Sequence, residues 1–209
     1  MANMERVLDV YKRPYDAAHP VVCMDESSKQ LIQETRPSTS VRPGKEARVD
    51  YEYIRRGVCN IFMANEPLRG KRFVEITELK TKKEWALFIR RISDQWYPKA
   101  KRITLVMDNF TTHCAGALYE EFEPAEAKRI WDRVEFIYTP KHGSWLNMAE
   151  IELNVLNGQC LRRHLNTIEK VKTEVTAWQK DRNNKNSKIN WQFTTKDARI
   201  KLKKLYPSI

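Results

Sequence analysis

Two short apolar segments of this 209-residue chain each lead directly into an aspartate. The first is PVVCMD at 20–25, which ends on Asp25, and the second is RITLVM at 102–107, which is followed by Asp108. Short apolar runs of this kind are typical of buried β-strands. Residues at the carboxyl ends of neighbouring strands meet at one edge of a sheet, where ligand and catalytic sites are favoured. We therefore expect the two aspartates to lie close together at such an edge.

The remaining segments predict a mixed α/β sheet of five strands with helices on both faces. Residues 58–64 and 71–79 have the composition of two hairpin strands, and residues 133–138 that of a fifth strand. The segment 27–53 is rich in Pro, Ser, Thr and charged residues, so we expect it to be irregular and exposed. Strands that alternate with helices after an opening antiparallel set are typical of this fold class.

Three helical segments are predicted between and after these strands. Residues 82–96 carry apolar side chains at helical spacing, and residues 117–132 form a second helical segment that Pro124 interrupts. A third helix is predicted to begin near Trp145, with Ser144 as its N-cap.

The net charge of +11 is concentrated near the end of the chain. Residues 162–209 hold thirteen basic and four acidic residues, which leaves a net charge of +9 there. Such a segment favours a polyanionic partner, because lysine and arginine neutralise phosphates. A solvated, lysine-rich helical face would have the same composition, and both interpretations stay open.

Several classes of protein are disfavoured by the sequence. It contains no run of about 18 apolar residues that would cross a membrane, and its charged first 20 residues do not resemble a secretory signal. Its four cysteines are far apart, without the spacing of a zinc site or a disulfide framework. A reduced, cytoplasmic protein is predicted.

Glu150 is a third acidic residue that can reach the same edge, from the helix after the fifth strand. Carboxylate oxygens suit Mg²⁺ or Mn²⁺. Three carboxylates repel one another unless cations lie between them, as two ions about 3.5–4 Å apart would. The alternative is that Asp108 and Asn109 only begin a turn or cap a helix.

The sequence around these acids resembles the mariner-like superfamily of DDE transposases, in particular its bacterial insertion-sequence branch. The segments are MDNFTTH at 107–113, TPKHGSWLNMAEIELNVL at 139–156 and VVCMDESSKQLIQETR at 21–36, and the resemblance extends from about residue 20 nearly to the end. It implies a ribonuclease H-like fold. It also implies that Asp25, Asp108 and Glu150 are catalytic metal ligands for Mg²⁺, with Mn²⁺ as a substitute and two ions in the site.

The same resemblance implies cleavage of DNA at transposon ends and strand transfer into target DNA by a homodimer or a larger synaptic assembly. Relatives carry helix-turn-helix domains ahead of the catalytic part, whereas 24 residues precede Asp25 here. The chain is then one product of a split or frameshifted element, an excised piece or a degenerate copy, and these alternatives stay open. In the first case a separate helix-turn-helix chain would be a partner, and the expected location is bacterial and nucleoid-associated. The domain division expected is an N-terminal segment at 1–19, the catalytic domain at 20–165 and a basic helical extension at 166–209.

Two other functions stay open at this stage. One is a catalytically silent DNA-binding remnant that regulates a full-length transposase, and the other is a ribonuclease H-like nuclease or resolvase. The Leu-Asn-x-x-Glu block that ends on Glu150 favours a transposase over the nuclease.

Neighbouring residues receive narrower predictions. Glu26 and Glu152 should point away from the site, because side chains alternate along a strand and residues two apart diverge on a helix. His113 either steadies Asp108 or has a structural role. Second-shell or DNA-contacting roles are predicted for Asn109, His113, His142 and Asn147, and phosphate contacts for Lys141, Arg162, Arg163, Lys201, Lys203 and Lys204.

Overall fold

The five strands form one mixed sheet in the order β3-β2-β1-β4-β5. The structure is a computed structural model that describes residues 1–36, 41–46, 52–111 and 113–206. β1 pairs antiparallel with β2 and β2 antiparallel with β3, whereas β1, β4 and β5 run parallel. The predicted mixed α/β sheet is confirmed. Its strands are β1 Val21–Glu34, β2 Tyr53–Glu66, β3 Lys71–Thr77, β4 Ile103–Met107 and β5 Val134–Tyr138.

Seven helices pack on the two faces of this sheet within the described residues. α2 continues into a π-helical turn at Ile92–Trp96, and α5 continues into another at Asn157–Leu161. The bounds are α1 Ala2–Tyr11, α2 Lys82–Arg91, α3 Ala115–Glu121, α4 Pro124–Arg133, α5 Met148–Leu156, α6 Ile168–Asn184 and α7 Thr195–Lys201.

The first two strands are longer than predicted, and the expectation of an irregular segment from residue 27 is wrong for its beginning. β1 runs to Glu34, and β2 begins at Tyr53. The polar residues of this ribbon lack an apolar alternation, but the antiparallel ladder extends to the pair Glu34 and Tyr53. The Ile32 N–H also donates to the Leu165 carbonyl at 2.8 Å. The predicted irregular residues 37–40 and 47–51 lie outside the described residues.

One face of the sheet is covered by α2, α3 and α4. Trp85, Phe88 and Ile89 of α2 are fully buried there against strand residues such as Phe62 and Leu105. Thr81 caps α2 in a reciprocal capping box with Glu84, which fixes where that helix begins. Pro124 occupies the first turn of α4, where its missing N–H costs nothing, so the predicted break at this residue is confirmed.

The other face is covered by α1, α5, α6 and α7. Val7 and Leu8 of α1 pack with Val106 and Ile137 of the central strands, and α7 adds Ala198. The sequence interpretation missed α1, although Met4, Val7, Leu8 and Val10 have the spacing of a buried helical stripe.

Helix α6 shares a core cluster with β2 and α5. Val171, Val175 and Trp178 are buried against Met63 and Leu156. This packing joins the basic C-terminal region to the sheet. The proposed domain boundary between residues 165 and 166 stays a prediction.

The β2–β3 hairpin, which the sequence predicted, depends on a glycine. Gly70 has φ +69°, and a Cβ there would lie 2.6 Å from the Asn186 carbonyl carbon. A side chain at this position would therefore be strained and would collide with the chain that follows α6.

Among the described residues, no helix combines the length and apolarity needed to cross a bilayer.

Candidate active site

The strand register brings Asp25 and Asp108 to the same edge of the sheet. β1 and β4 are parallel, and Cys23 lies opposite Val106. Continuing that register by two residues places Asp25 opposite Asp108. Neighbouring strands are separated by about 4.8 Å. Asp108 directly follows β4, whereas Asp25 lies within the adjacent strand β1. The prediction that the first strand ends on Asp25 is wrong, because β1 continues to Glu34 through its pairing with β2.

Glu150 approaches this edge from the first turn of α5. Asn147, not Ser144, is the N-cap of this helix: its side-chain oxygen accepts from the Ala149 N–H at 3.1 Å. The prediction for Ser144 is wrong, because residues 144–146 form a separate 3-10 turn before the helix. The Asn147 amide also donates to the Met24 carbonyl at 2.7 Å. This bond fastens the start of α5 to β1 immediately before Asp25.

The Asn147 side chain thus positions the helix that carries Glu150. Its amide is fully buried, and both of its described hydrogen bonds are to backbone groups. An unpaired amide here would be costly, so α5 is held firmly against β1. The predicted orienting role of Asn147 is compatible with this arrangement and stays a prediction.

Asp25 lies in an electrostatically unfavourable place for a carboxylate. Burial raises the pKa of Asp25 to about 7, and the negative charges of Asp108, Glu26 and Glu150 act in the same direction. The Glu26 N–H donates to Asp25 Oδ1 at 2.8 Å and opposes this rise. Among the described residues, neither Asp25 nor Glu150 forms an ion pair with a lysine, arginine or histidine. The site therefore has an excess of negative charge.

The three carboxylates are not gathered tightly around a single point. In the described part of the chain, the metal-type donor atoms that lie within 4.8 Å of one another belong to Glu26, Asp108 and His113. The oxygens of Asp25, Asp108 and Glu150 do not form such a group.

His113 lies behind Asp108 and contacts two carboxylates. Its Nδ1 is 2.7 Å from Asp108 Oδ1, and its Nε2 is 2.8 Å from Glu26 Oε1. Burial by itself lowers the pKa of His113, but the contacts with Asp108 and Glu26 outweigh it and raise the pKa to about 9. Burial likewise would raise the pKa of Asp108, but His113 holds it below its ordinary value. The sequence left the role of His113 open, and the structure shows that it touches both acids.

A cleft of about 310 Å³ opens beside Asp108, between the loop after β4 and the loop after β5. His142 has a left-handed backbone with φ +62°, and Gly143 packs so closely on Pro140 that a Cβ would lie 2.5 Å from the proline ring. The lining includes the predicted residues Asn109, Lys141 and His142.

Apart from Lys141, the basic residues predicted to contact DNA lie away from this cleft along the chain, in the segments that follow α5 and in α7 and the turn after it. Arg163 is paired with Glu174 and donates to the Cys160 carbonyl at 3.3 Å. Lys201 lies 5.7 Å from the centre of the Phe193 ring. Exposed positions are held by Arg162, Arg163, Lys201, Lys203 and Lys204.

Glu152 is excluded from the site by its partners. It is 1% exposed and accepts from Arg72 Nε at 2.6 Å and from Arg182 Nη2 at 3.1 Å. Burial by itself would raise the pKa of Glu152, but the two guanidinium groups outweigh it and lower the pKa. Glu26 likewise faces His113, not Glu150. Nothing in the sequence pattern pointed to Arg72, whereas the position of Glu26 beside Asp25 was a signal that could have been followed.

Comparisons with known proteins identify the family and the fold. The profile of the family described as DDE superfamily endonuclease matches residues 20–184. A structure of the Mos1 mariner paired-end complex with Mn has a TM-score of 0.60 at 18% identity, over 89% of this chain and 57% of that one. The Mos1 strand transfer complex has a TM-score of 0.58 at 16% identity, over 89% and 59%. The Mos1 catalytic domain has a TM-score of 0.53 at 13% identity, over 89% and 92%.

These structures share the fold of the chain, which spans 57% of the mariner chain in the first of them. Comparison with curated protein sequences gave no match. The ribonuclease H-like fold implied by the resemblance is confirmed by the five-stranded sheet and the mariner catalytic domain. The bacterial branch stays a prediction. The family profile covers most of the chain, and the protein therefore belongs to the DDE superfamily endonucleases.

Proposed function

We propose that this chain is the catalytic domain of a DNA transposase that cleaves phosphodiesters at transposon ends and transfers strands into target DNA. The observation that carries the proposal is the meeting of Asp25, Asp108 and the first turn of α5 at one edge of the sheet. Membership of the DDE superfamily endonucleases supports the nuclease step. The likeness of fold to a mariner strand transfer complex supports the joining step.

The donor set at this edge fits divalent cations. It consists of carboxylate oxygens, which Mg²⁺ and Mn²⁺ favour. Asp25 is largely buried among other negative charges, and the described residues give it no cationic partner. A divalent ion would relieve that repulsion, and the mariner complex with Mn supports such an ion. We propose Asp25, Asp108 and Glu150 as ligands of two ions, with Mg²⁺ as the natural metal.

The side chains around the ligands would bind and orient DNA. When bound, the ions activate a water or a 3′-hydroxyl for in-line attack on phosphorus and stabilise the leaving oxygen. Lys141 and His142 stand on the wall of the cleft beside Asp108, where they would contact the phosphates that flank the reacting one. Asn109 lines the same wall. Attack by an activated oxygen requires no covalent link between protein and DNA.

The binding partner proposed is double-stranded DNA, including transposon ends and target. Exposed lysines at 201, 203 and 204 and the arginines at 162 and 163 would add phosphate contacts outside the cleft. The paired-end complexes of Mos1 support assembly of two copies on DNA. A separate helix-turn-helix chain for recognition of the ends stays a prediction.

Metal-dependent nicking of supercoiled DNA tests the proposal directly. Purified chain is incubated with plasmid and Mg²⁺ or Mn²⁺, and Asp25→Asn and Asp108→Asn are compared with the wild type. We expect nicking by the wild type, none without metal, and none by either variant. Asp132→Asn is the matched control, because Asp132 is an exposed carboxylate paired with Lys128 before β5, at the opposite edge of the sheet.

Other outcomes would point to different functions. DNA binding without metal-dependent nicking would favour the silent regulatory remnant. Nicking without joining of cut transposon ends to target DNA would favour a nuclease or resolvase. Nicking that survives in both aspartate variants would contradict the proposed site.

A further inference from the structure

A chain of charged groups leads from the buried side chains of Glu26 and His113 to Asp108. It passes from Glu26 on β1 to His113, and from His113 to Asp108. We propose that Glu26 and His113 form a rigid strut that positions Asp108 as a metal ligand. This inference rests on the proposed function, since it concerns the same metal site.

Asp108 needs such a support because the sheet does not hold it. The β4–β5 ladder ends at the pair Met107 and Tyr138. The described residues between Asp108 and Cys114 belong to no helix or strand. The orientation of the carboxylate therefore depends on its own contacts, which are with the His113 ring and the Phe110 backbone N–H.

His113 is held firmly enough to provide that contact. Its side chain is 1% exposed, and its ring stacks on Trp85 at 5.7 Å with an interplanar angle of 24°. The Tyr138 hydroxyl donates to the His113 carbonyl at 3.0 Å. Its Nδ1 also lies 3.2 Å from the Asp108 carbonyl, so one nitrogen touches both the backbone and the carboxylate of Asp108.

Glu26 connects this ring to the strand that carries Asp25. Its register partner on β2 is Phe62, so its backbone lies within a regular ladder. Side chains alternate along a strand, and Glu26 shares the face of Met24 while Asp25 lies on the opposite one. The strut thus connects β1, the strand that carries Asp25, with Asp108. We therefore expect the distance between these two proposed ligands to depend on the length of the strut.

The donor atoms of the same three groups lie within 4.8 Å of one another, but the contacts that they make here are those of a bridge between two acids. Asp108 and Glu26 contact different nitrogens of the imidazole ring, so the ring lies between the two carboxylates. A single ion could not bind both nitrogens. The imidazole ring bridges two acids, and its Nδ1 lies 2.7 Å from Asp108 Oδ1 and 3.2 Å from the Asp108 carbonyl.

Mn²⁺ binding to the full chain, measured by calorimetry or by electron paramagnetic resonance, tests the strut without requiring activity. Glu26→Asp keeps the charge but shortens the strut by one methylene, whereas Glu26→Gln keeps the length and an acceptor for Nε2. We expect the Kd for Mn²⁺ to rise about tenfold in Glu26→Asp and to change less than about threefold in Glu26→Gln. His113→Gln, which loses the contact with Asp108, should raise the Kd about ten- to a hundredfold.

A merely structural role predicts a different pattern. It would lower the melting temperature of these variants but leave the Mn²⁺ affinity of the folded protein unchanged. His19→Gln is the matched control, because His19 contacts Asp16 at 2.7 Å on the exposed surface. This control should bind Mn²⁺ like the wild type.

The failure of the strut and the failure of the metal site are distinguishable. If Asp108→Asn loses Mn²⁺ but Glu26→Asp and His113→Gln bind it as tightly as the wild type, the strut is refuted and the metal site remains. If the wild type binds no Mn²⁺, or Asp108→Asn binds it equally well, the proposed function itself fails. If His113→Gln does not fold, the comparison of Glu26→Asp with Glu26→Gln decides the question.

Discussion

Two carboxylates of α5, those of Glu150 and Glu152, lie within one helical turn of each other and differ in how their charge is balanced. Glu152 is enclosed by Arg72 and Arg182, which together direct four hydrogen bonds to its two oxygens. Asp25 and Glu150 have no such cationic partner among the described residues. Residues 150 and 152 thus have opposite environments although they are two positions apart.

This difference in charge balance distinguishes a carboxylate that stabilises the fold from the carboxylates that are proposed to take part in catalysis. A buried carboxylate with two guanidinium partners is already neutralised and links three elements, since Arg72 is on β3 and Arg182 on α6. A buried carboxylate among like charges is stable only when a proton or an external cation joins it. The lack of a cationic partner, more than burial, distinguishes Asp25 and Glu150, two of the proposed metal ligands, from Glu152.

The largest expected effect is the loss of catalysis in Glu150→Gln. Removing a ligand of the proposed ions should lower the rate of metal-dependent nicking at least about a hundredfold. Glu152→Gln should keep most of the activity at temperatures where it stays folded. Plasmid nicking at low temperature, with circular dichroism to verify folding, measures both. Loss of nicking activity in Glu152→Gln, together with retained activity in Glu150→Gln, would reverse the roles assigned to these two residues.

Removing one arginine from the cluster of Glu152, Arg72 and Arg182 should instead reduce the stability of the fold. Arg72→Met leaves Glu152 buried with one partner, and we expect the free energy of unfolding to fall by about 3 kcal/mol near pH 7. Because the pKa of Glu152 is lowered in the folded state, this contribution is present above its ordinary pKa of 4.5 and is lost as the pH falls through the lower folded value. Urea unfolding at pH 7 and pH 3 measures the change.

A surface ion pair provides the control for that experiment. Arg91 pairs with Glu75, and its side chain is more than a third exposed. Arg91→Met should cost less than about 1 kcal/mol, since exposed pairs contribute little. A cost for Arg72→Met that is no larger than this would show that the cluster is not structural.

Asp25, which has no cationic partner among the described residues, should give the free energy of unfolding the opposite dependence on pH. The pKa of Asp25 is raised from its ordinary value of 3.8 to about 7. Its contribution to the free energy of unfolding is therefore fully present below pH 3.8 and is lost as the pH rises through 7. In metal-free buffer at pH 8, Asp25→Asn should therefore increase the free energy of unfolding, by about 1–3 kcal/mol. The gain should vanish near pH 4. Destabilisation at pH 8 would mean that the charge of Asp25 is compensated within the protein.

The smallest expected effect concerns lysines that lie outside both the Glu152 cluster and the proposed metal site. Replacing Lys201, Lys203 and Lys204 with glutamine should weaken DNA binding and reduce the slope of log affinity against log salt by at most about 3. The nicking rate of bound DNA should not change. Lys128→Gln is a control, because Lys128 is already paired with Asp132. An unchanged salt slope in the triple variant would remove these lysines from the DNA-binding surface.

Deleting residues 165–209 would be a poor test of the same idea. Leu165, Val171, Val175 and Trp178 belong to the core cluster beneath β2 and α5. Their loss would expose apolar surface that the sheet needs covered, so weaker DNA binding would not distinguish unfolding from lost phosphate contacts. The lysine substitutions avoid this ambiguity.

Much of the fold could be predicted from apolar periodicity. The strands that end on Met107 and Tyr138, the helix that begins at Lys82 and the break at Pro124 all follow from local patterns. The predictions that were wrong concern segments without such a pattern. β1 beyond Asp25 is polar, and its strand conformation comes from pairing with β2. Likewise the cap at Asn147 could not be told from Ser144, because both are good capping residues three positions apart.

The sequence by itself determined that Asp25 and Asp108 stand at the ends of two buried apolar runs, which are readable without coordinates. It also determined the family, through short motifs in a fixed order. Only the tertiary structure decided which acids are balanced by partners. Arg72 and Glu152 are 80 residues apart, and His113 and Glu26 are 87 apart. Local propensity cannot encode pairings of that range, because they arise only when the sheet and its covering helices have closed around them.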